Sequence, residues 1–224
     1  MSMYWILFIG IAVASYLVQS NLKRKFEVYS RQPCPYSGKE VAEMMLRAHG
    51  IYDVRVISTS GRLTDHYNPT DKTVNLSEDV YASYSVAAAA VAAHECGHAV
   101  QHACAYGPLK MRSALVPAVS FASSWMQWIL LIGIFTIQTF PQIMLGGIIL
   151  FAMTTLFSFI TLPVEINASM RATRWLRQAD IVSPSSYPMA VDALRSAAYT
   201  YVVAALSSLA TLVCYVSIFL GRRD

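Results

Sequence analysis

His94 and His98 stand four residues apart in the run His94-Glu95-Cys96-Gly97-His98. On a helix that spacing puts two imidazoles on one face, one turn apart, where both can grip a single metal ion. The glutamate between them points to where a water at the metal would sit, so the chemistry this run allows is hydrolysis. Such a pair needs a helix beneath it. Ser85-Val86-Ala87-Ala88-Ala89-Ala90-Val91-Ala92-Ala93 supplies one, because alanine is the strongest helix former. The bland alternative is an alanine-rich core helix carrying incidental histidines.

Zinc in a catalytic site takes three protein ligands and leaves one position for water. His102 falls on the same helical face. It is eight residues from His94, about 12 Å along the axis, so one ion cannot reach both. It reads instead as an outer or headgroup-facing residue. The metzincin pattern fails too, since it needs glycine at 101 and histidine at 104, where Gln101 and Cys104 stand. Glu165 is the better third ligand. It is the first ionisable residue after the uncharged stretch Ser113–Val164, and an ionisable group at such a place is costly and usually functional. Its bland alternative is an interfacial glutamate paired with Arg171.

The elements that must position these residues lie mostly in a membrane. Of 224 residues, 55% are hydrophobic and 13% charged, where an ordinary soluble domain is about a quarter charged. The charges are segregated, being absent from residues 1–22, 113–164 and 196–221. A span needs about 20 apolar residues, so four spans are expected, near 3–20, 118–137, 142–162 and 198–220. Gln138-Thr139-Phe140-Pro141-Gln142 is the turn between the middle two. Two spans separate His98 from Glu165, and an even number returns the chain to the same side. Pro163 can start or kink the helix that follows, Val164–Arg177.

Basic residues follow the first span (Lys23, Arg24, Lys25, Arg31), precede the second (Lys110, Arg112) and follow the third (Arg171, Arg174, Arg177). The positive-inside rule makes these segments cytoplasmic, and the first span reads as an uncleaved anchor with its amino terminus outside. Arg222 and Arg223 dissent, unless the last helix is re-entrant or interfacial. This flanking bias, together with contact to anionic headgroups, accounts for the net charge of +4, so no nucleic-acid partner is expected. Cys34, Cys96, Cys104 and Cys214 show no CxxC spacing, and on a cytoplasmic face no disulfide is expected. Cys96 lies about 200° round the helix from His94 and reads as a core residue.

The fold class expected is a mainly α membrane protein, with four transmembrane helices and a small cytoplasmic α+β zincin-like domain. The division is an anchor over 1–22, an α+β segment with the HExxH helix over 23–112, and a transmembrane hairpin over 113–164. A cytoplasmic helix and loop over 165–195 and a last membrane helix over 196–224 follow. Within 23–112, Ser37-Gly38-Lys39-Glu40 is a capping box and Gly50 stops its helix. Strands are predicted over Val54–Ser58, Leu63–Tyr67 and Thr73–Leu76, with Asn68-Pro69-Thr70-Asp71 as a break and Ser77 capping the next helix. His49 reads as a capping or solvated residue. Ser183-Pro184-Ser185-Ser186-Tyr187-Pro188 is a loop leading into the last helix.

Four stretches together carry a family likeness: His94-Glu95-Cys96-Gly97-His98-Ala99-Val100-Gln101, Leu63-Thr64-Asp65-His66-Tyr67-Asn68-Pro69, Leu162-Pro163-Val164-Glu165-Ile166-Asn167-Ala168-Ser169, and Tyr199 to Leu209. With them the chain resembles, over nearly its whole length, the YugP-type membrane zinc metallopeptidases of bacteria. The resemblance implies a membrane-anchored, gluzincin-like peptidase in which His94, His98 and Glu165 bind Zn2+. Broader gluzincins often carry an aspartate four residues after the ligand glutamate, where it orients a zinc histidine. Here that position is Ser169, and the residues available for the orienting role are Ser169, Asn167 and Asp65. His66 or Tyr67 could donate a hydrogen bond to a developing oxyanion, with the strand edge pairing an extended substrate. The other reading of Asp65, His66 and Tyr67 is a polar cluster beside a turn.

The function expected is a membrane-embedded, zinc-dependent endopeptidase of the bacterial inner membrane, multi-pass, with its active site facing the cytoplasm. Glu95 would be the general base, and the substrates membrane-proximal or unfolded proteins. The alternative is a membrane scaffold or chaperone-like binder with a non-catalytic zinc site. A transporter fits poorly, because the spans offer almost no polar pathway. The partners expected are a protein or peptide substrate and the lipid bilayer. Leu145-Gly146-Gly147 and Ala204-Ala205-Leu206-Ser207-Ser208 also allow close packing within the chain, with a second copy or with another membrane protein.

Overall fold

The computed structural model describes residues 2–221, with side chains from Trp5 onward. Arg222 and Arg223 lie outside the described residues. Ten elements follow in order: α1 (Ser2–Tyr29), α2 (Gly38–Ala48), β1 (Arg55–Thr59), β2 (His66–Asn68), β3 (Thr73–Ser77), α3 (Glu78–Tyr81), α4 (Val86–Ala103), α5 (Gly107–Thr136), α6 (Pro141–Gln178) and α7 (Tyr187–Gly221). The protein is therefore a mainly α membrane protein with a small three-stranded sheet. Trp5–Tyr29, α5, α6 and α7 are long and apolar enough to cross a membrane.

Two compact units divide the chain. One comprises Val18–Leu109 with Pro163–Thr200, and the other the remaining described residues.

In the first unit the sheet order is β1-β3-β2. β3 runs parallel to β1, Val56 opposite Val74, and antiparallel to β2, Tyr67 opposite Val74. β3 is buried along its whole length, as a central strand must be, while β2 forms an edge. Val41 and Met45 of α2, Val74 and Leu76 of β3, the alanines of α4, and Leu176 and Ile181 fill one core. The capping box at Ser37 forms in full: its hydroxyl accepts from the Glu40 amide while the Glu40 carboxylate accepts from the Ser37 amide. α1 is tied to α7 by Lys25, which donates to Asp192 (2.8 Å) and Ser196 (3.0 Å), and by Tyr29, which donates to Asp192 (2.7 Å).

Three local expectations are corrected. The second strand is His66–Asn68 rather than Leu63–Tyr67, because Leu63 adopts a left-handed φ of 59°, which no strand can carry through. Ser77 stands before α3 but makes no side-chain cap; its hydroxyl is taken by the Asp65 carboxylate at 3.1 Å. Pro163 does not start a helix, since α6 runs unbroken through it. A proline inside a helix removes a single backbone donor, and a long helix with many other bonds tolerates that loss.

In the second unit, Leu130 of α5 packs on Met144 and Ile148 of α6, with Leu212, Tyr215 and Phe219 of α7 against them. The approach is close because Gly147 lacks a side chain: a Cβ there would stand 2.8 Å from Leu130 Cδ2. Trp128 and Phe135 are 62% and 82% exposed, apolar surface suited to lipid rather than water.

Candidate metal centre

α4 begins where expected. The Ser85 hydroxyl accepts from the Ala88 amide at 3.2 Å, and the alanine run that follows is buried almost all round. Small side chains let this helix sit inside the core rather than on it. The same burial reaches the chemistry, with Glu95 8% and His98 7% exposed and His94 half-buried.

The carboxylate of Glu165 faces both histidines. Its Oε2 lies 3.3 Å from His94 Nε2 and 3.5 Å from His98 Nε2. The three ligand atoms of this cluster all lie within 4.8 Å of one another. Donors set tetrahedrally at about 2.1 Å from a common zinc stand about 3.4 Å apart, so the two separations fit ligands around one ion. They are longer than a direct charge-assisted hydrogen bond, which closes to about 2.8 Å. Neutral imidazoles and a carboxylate are also the chemically suited donor set, and these residues could hold a metal ion. Arg171 does not pair with Glu165; its Nε donates to Asn167 Oδ1 at 2.8 Å.

Glu165 arrives because α4 and α6 touch at the backbone. A Cβ added to Gly97 would stand 2.6 Å from the carbonyl oxygen of Ala168. Only glycine admits this approach, and it sets Glu165 and Ser169, one turn apart on α6, against His94 and His98.

The outer contacts are specific. Ser169 Oγ meets His94 Nδ1 at 3.1 Å, a contact that can orient the ring. His98 Nδ1 meets Gln101 Oε1 at 3.0 Å, and Gln101 Nε2 donates to the Val164 carbonyl (2.8 Å) and to Asn167 Oδ1 (3.0 Å). Asn167 therefore lies two bonds from the histidine. Gln101 is a site residue that spacing alone does not single out; its signal is a polar side chain one turn past His98, and it is fully buried.

The strand residues lie elsewhere. Asp65 accepts from the amide (2.8 Å) and hydroxyl of Ser77 and bonds neither zinc-candidate histidine, because its carboxylate is spent holding β3 to the loop before β2. His66 Nδ1 donates to the Thr64 carbonyl at 2.7 Å, which leaves Nε2 of the neutral ring only an acceptor. The Tyr67 hydroxyl meets His102 Nδ1 at 2.7 Å, placing β2 beside the last turn of α4. His49 Nδ1 bonds the Met45 carbonyl at 2.8 Å, as a helix-end residue does. Cys96 points to the opposite side, against the Ala42 carbonyl, and burial pushes its thiol well up, so it stays protonated and inert. All four cysteines are free.

Burial alone would push His98 down, but the Glu165 and Glu95 carboxylates and the Gln101 acceptor outweigh it. Its pKa stands above the usual 6.5. Protons and metal compete for Nε2, so metal affinity should fall as pH drops through that raised value, earlier than for an ordinary histidine. In the metal-free protein the sign is the reverse: the raised value stabilises the fold at low pH, and that stability is lost as pH rises through it. A zinc titration from about pH 8 to about pH 5.5 checks the first statement, which an affinity flat across that range would contradict.

A helix-borne histidine pair faced by a carboxylate from a second helix is a group of three residues that could hold a metal ion, here on a chain with four membrane-length helices. The chain belongs to the family described as "Putative neutral zinc metallopeptidase", whose model matches residues 4–220. It is 42% identical to the "Putative membrane protease YugP" of Bacillus subtilis (strain 168), over 97% of this chain and 99% of that protein. No solved structure matches the chain at a significant level.

Proposed function

We propose that this protein is a membrane-embedded, zinc-dependent endopeptidase with a gluzincin-type ligand set. In this reading it cuts peptide bonds of membrane-proximal or unfolded proteins at the cytoplasmic face of a bacterial inner membrane. Residues 23–112 and 165–195 then share the cytoplasmic side, with 1–22, 113–164 and 196–224 as its membrane segments. The observation that carries the reading is the single Glu165 oxygen 3.3 and 3.5 Å from two histidines of an HExxH helix. Ser169 at His94 supports a metal site, because it supplies the outer bond that orients a metal-ligating histidine.

His94, His98 and Glu165 would hold the ion. When bound, zinc supplies an electrophile that acidifies water and polarises the scissile carbonyl. Glu95, buried beside His98, takes the proton of the attacking water and passes it to the leaving amine. The outer edge of β2 pairs with an extended substrate, which aligns the scissile bond over Glu95. In the His102 tautomer that carries its proton on Nδ1, the ring donates to Tyr67 and leaves the tyrosine proton for the developing oxyanion. Burial and the charge of Asp53 raise the Tyr67 pKa, so that proton is present at neutral pH. His66, with its N–H spent on Thr64, serves this role only when doubly protonated.

Purified protein in detergent should cleave an unfolded, fluorescently labelled protein, stop on chelation and resume with added zinc. Glu165→Ala should lower zinc affinity at least about 100-fold, beyond what outer residues control. Cleavage that survives chelation, or a Glu165→Ala protein binding zinc as tightly as wild type, would overturn the reading.

A further inference from the structure

Gln101 is fully buried, yet every polar atom of its side chain is engaged. An amide can face a neighbour with either end, and its direction follows from partners whose polarity cannot change. Two such partners exist. The Val164 carbonyl can only accept, so the Gln101 atom at 2.8 Å from it is the nitrogen. The Arg171 guanidinium can only donate, so the Asn167 atom at 2.8 Å from it is the oxygen, and the Gln101 atom facing that oxygen at 3.0 Å is again the nitrogen. Both routes leave Gln101 Oε1 toward His98 Nδ1. An acceptor there keeps the imidazole proton on Nδ1 and turns the Nε2 lone pair toward Glu165.

We propose that Gln101 is a positioning residue for His98, its acceptor oxygen locked toward Nδ1 from two sides by the Val164 carbonyl and by Arg171 acting through Asn167. The proposal rests on the reading of His98 as a zinc ligand. The device is asymmetric: His94 is met by a single hydroxyl, which can rotate and can donate as well as accept, whereas His98 is met by an amide that cannot turn. His98 is thereby the rigid ligand and His94 the adaptable one.

Gln101 also ties α4 to α6 through Val164 and Asn167, and two variants separate that clamp from the positioning role. Gln101→Met keeps the volume and removes both donor and acceptor. Gln101→Glu keeps an acceptor for His98 but, when ionised, cannot donate to Val164 or Asn167. If the acceptor matters, Gln101→Met should lose about 10- to 100-fold in zinc affinity while Gln101→Glu stays within about threefold of wild type. Equal losses in both variants would overturn the proposal and leave only a clamp. In zinc-loaded wild-type protein with 15N-labelled histidine, His98 should show a downfield Nδ1 proton that exchanges slowly with solvent. Its absence would overturn the proposal even if Gln101→Met fails to fold. Wild-type protein that binds no zinc would instead remove the enzyme reading itself, which distinguishes the two failures.

Discussion

Glu95→Gln should bind zinc and keep its fold while losing at least about 100- to 10,000-fold in peptide hydrolysis. Glutamine matches glutamate in size, so the buried position beside His98 is refilled without a cavity. What it cannot do is take a proton. The proposed ligands, His94, His98 and Glu165, are untouched. The variant carries a second signature. Glu95 is one of the carboxylates that hold His98 above its ordinary pKa, so its neutralisation lets His98 shed its proton at lower pH. Zinc binding should then persist to lower pH in Glu95→Gln than in wild type. Metal stoichiometry, a zinc titration against pH and a cleavage assay on the same preparation test all three statements. Undiminished proteolysis by this variant would remove the mechanism.

Gly97→Ala is the second large effect. The added methyl would lie 2.6 Å from the oxygen of Ala168 and 3.1 Å from its carbonyl carbon and Cα, all backbone atoms. No side chain can swing aside, so α4 and α6 must separate at the crossing that holds Glu165 and Ser169 against the histidines. Overpacking of this kind costs about 1–3 kcal/mol of stability. The same displacement opens the ligand triangle, and zinc affinity should fall by more than about tenfold, comparable with loss of an outer-shell partner. Gly146→Ala is the control: a Cβ there meets nothing within 4 Å, and alanine favours the helix. Thermal unfolding with and without zinc compares the two variants. A Gly97→Ala protein as stable and as tightly zinc-binding as wild type would show that this crossing does not set the site.

The histidine pair was legible because four-residue spacing is a local property of a helix, and the serine cap and alanine run made the helix certain to form. The membrane-length helices and the turn before Pro141 were legible for a related reason: lipid demands about 20 apolar residues, and charge appears only beyond them. The strand at 63–67 was misplaced because Leu63 is apolar and alternation favoured it, whereas its φ of 59° is set by a turn. Pro163 looked like a boundary because a proline removes a helical hydrogen bond, yet the rest of α6 compensates for one missing donor.

By itself the chain's order of residues determined which helices form, which of them suit a membrane, and that His94, Glu95 and His98 share one helical face. Those properties depend on neighbours a few residues apart. Only the tertiary structure decided that Glu165, 71 residues from His94, meets it, that Ser169 and Gln101 stand within hydrogen-bond distance of the two rings, and that Asp65 serves Ser77 instead. The meetings of Glu165 and Ser169 with His94 are set by where α4 and α6 cross, and there Gly97 lies against a backbone carbonyl with no side chain between. No periodicity encodes that contact.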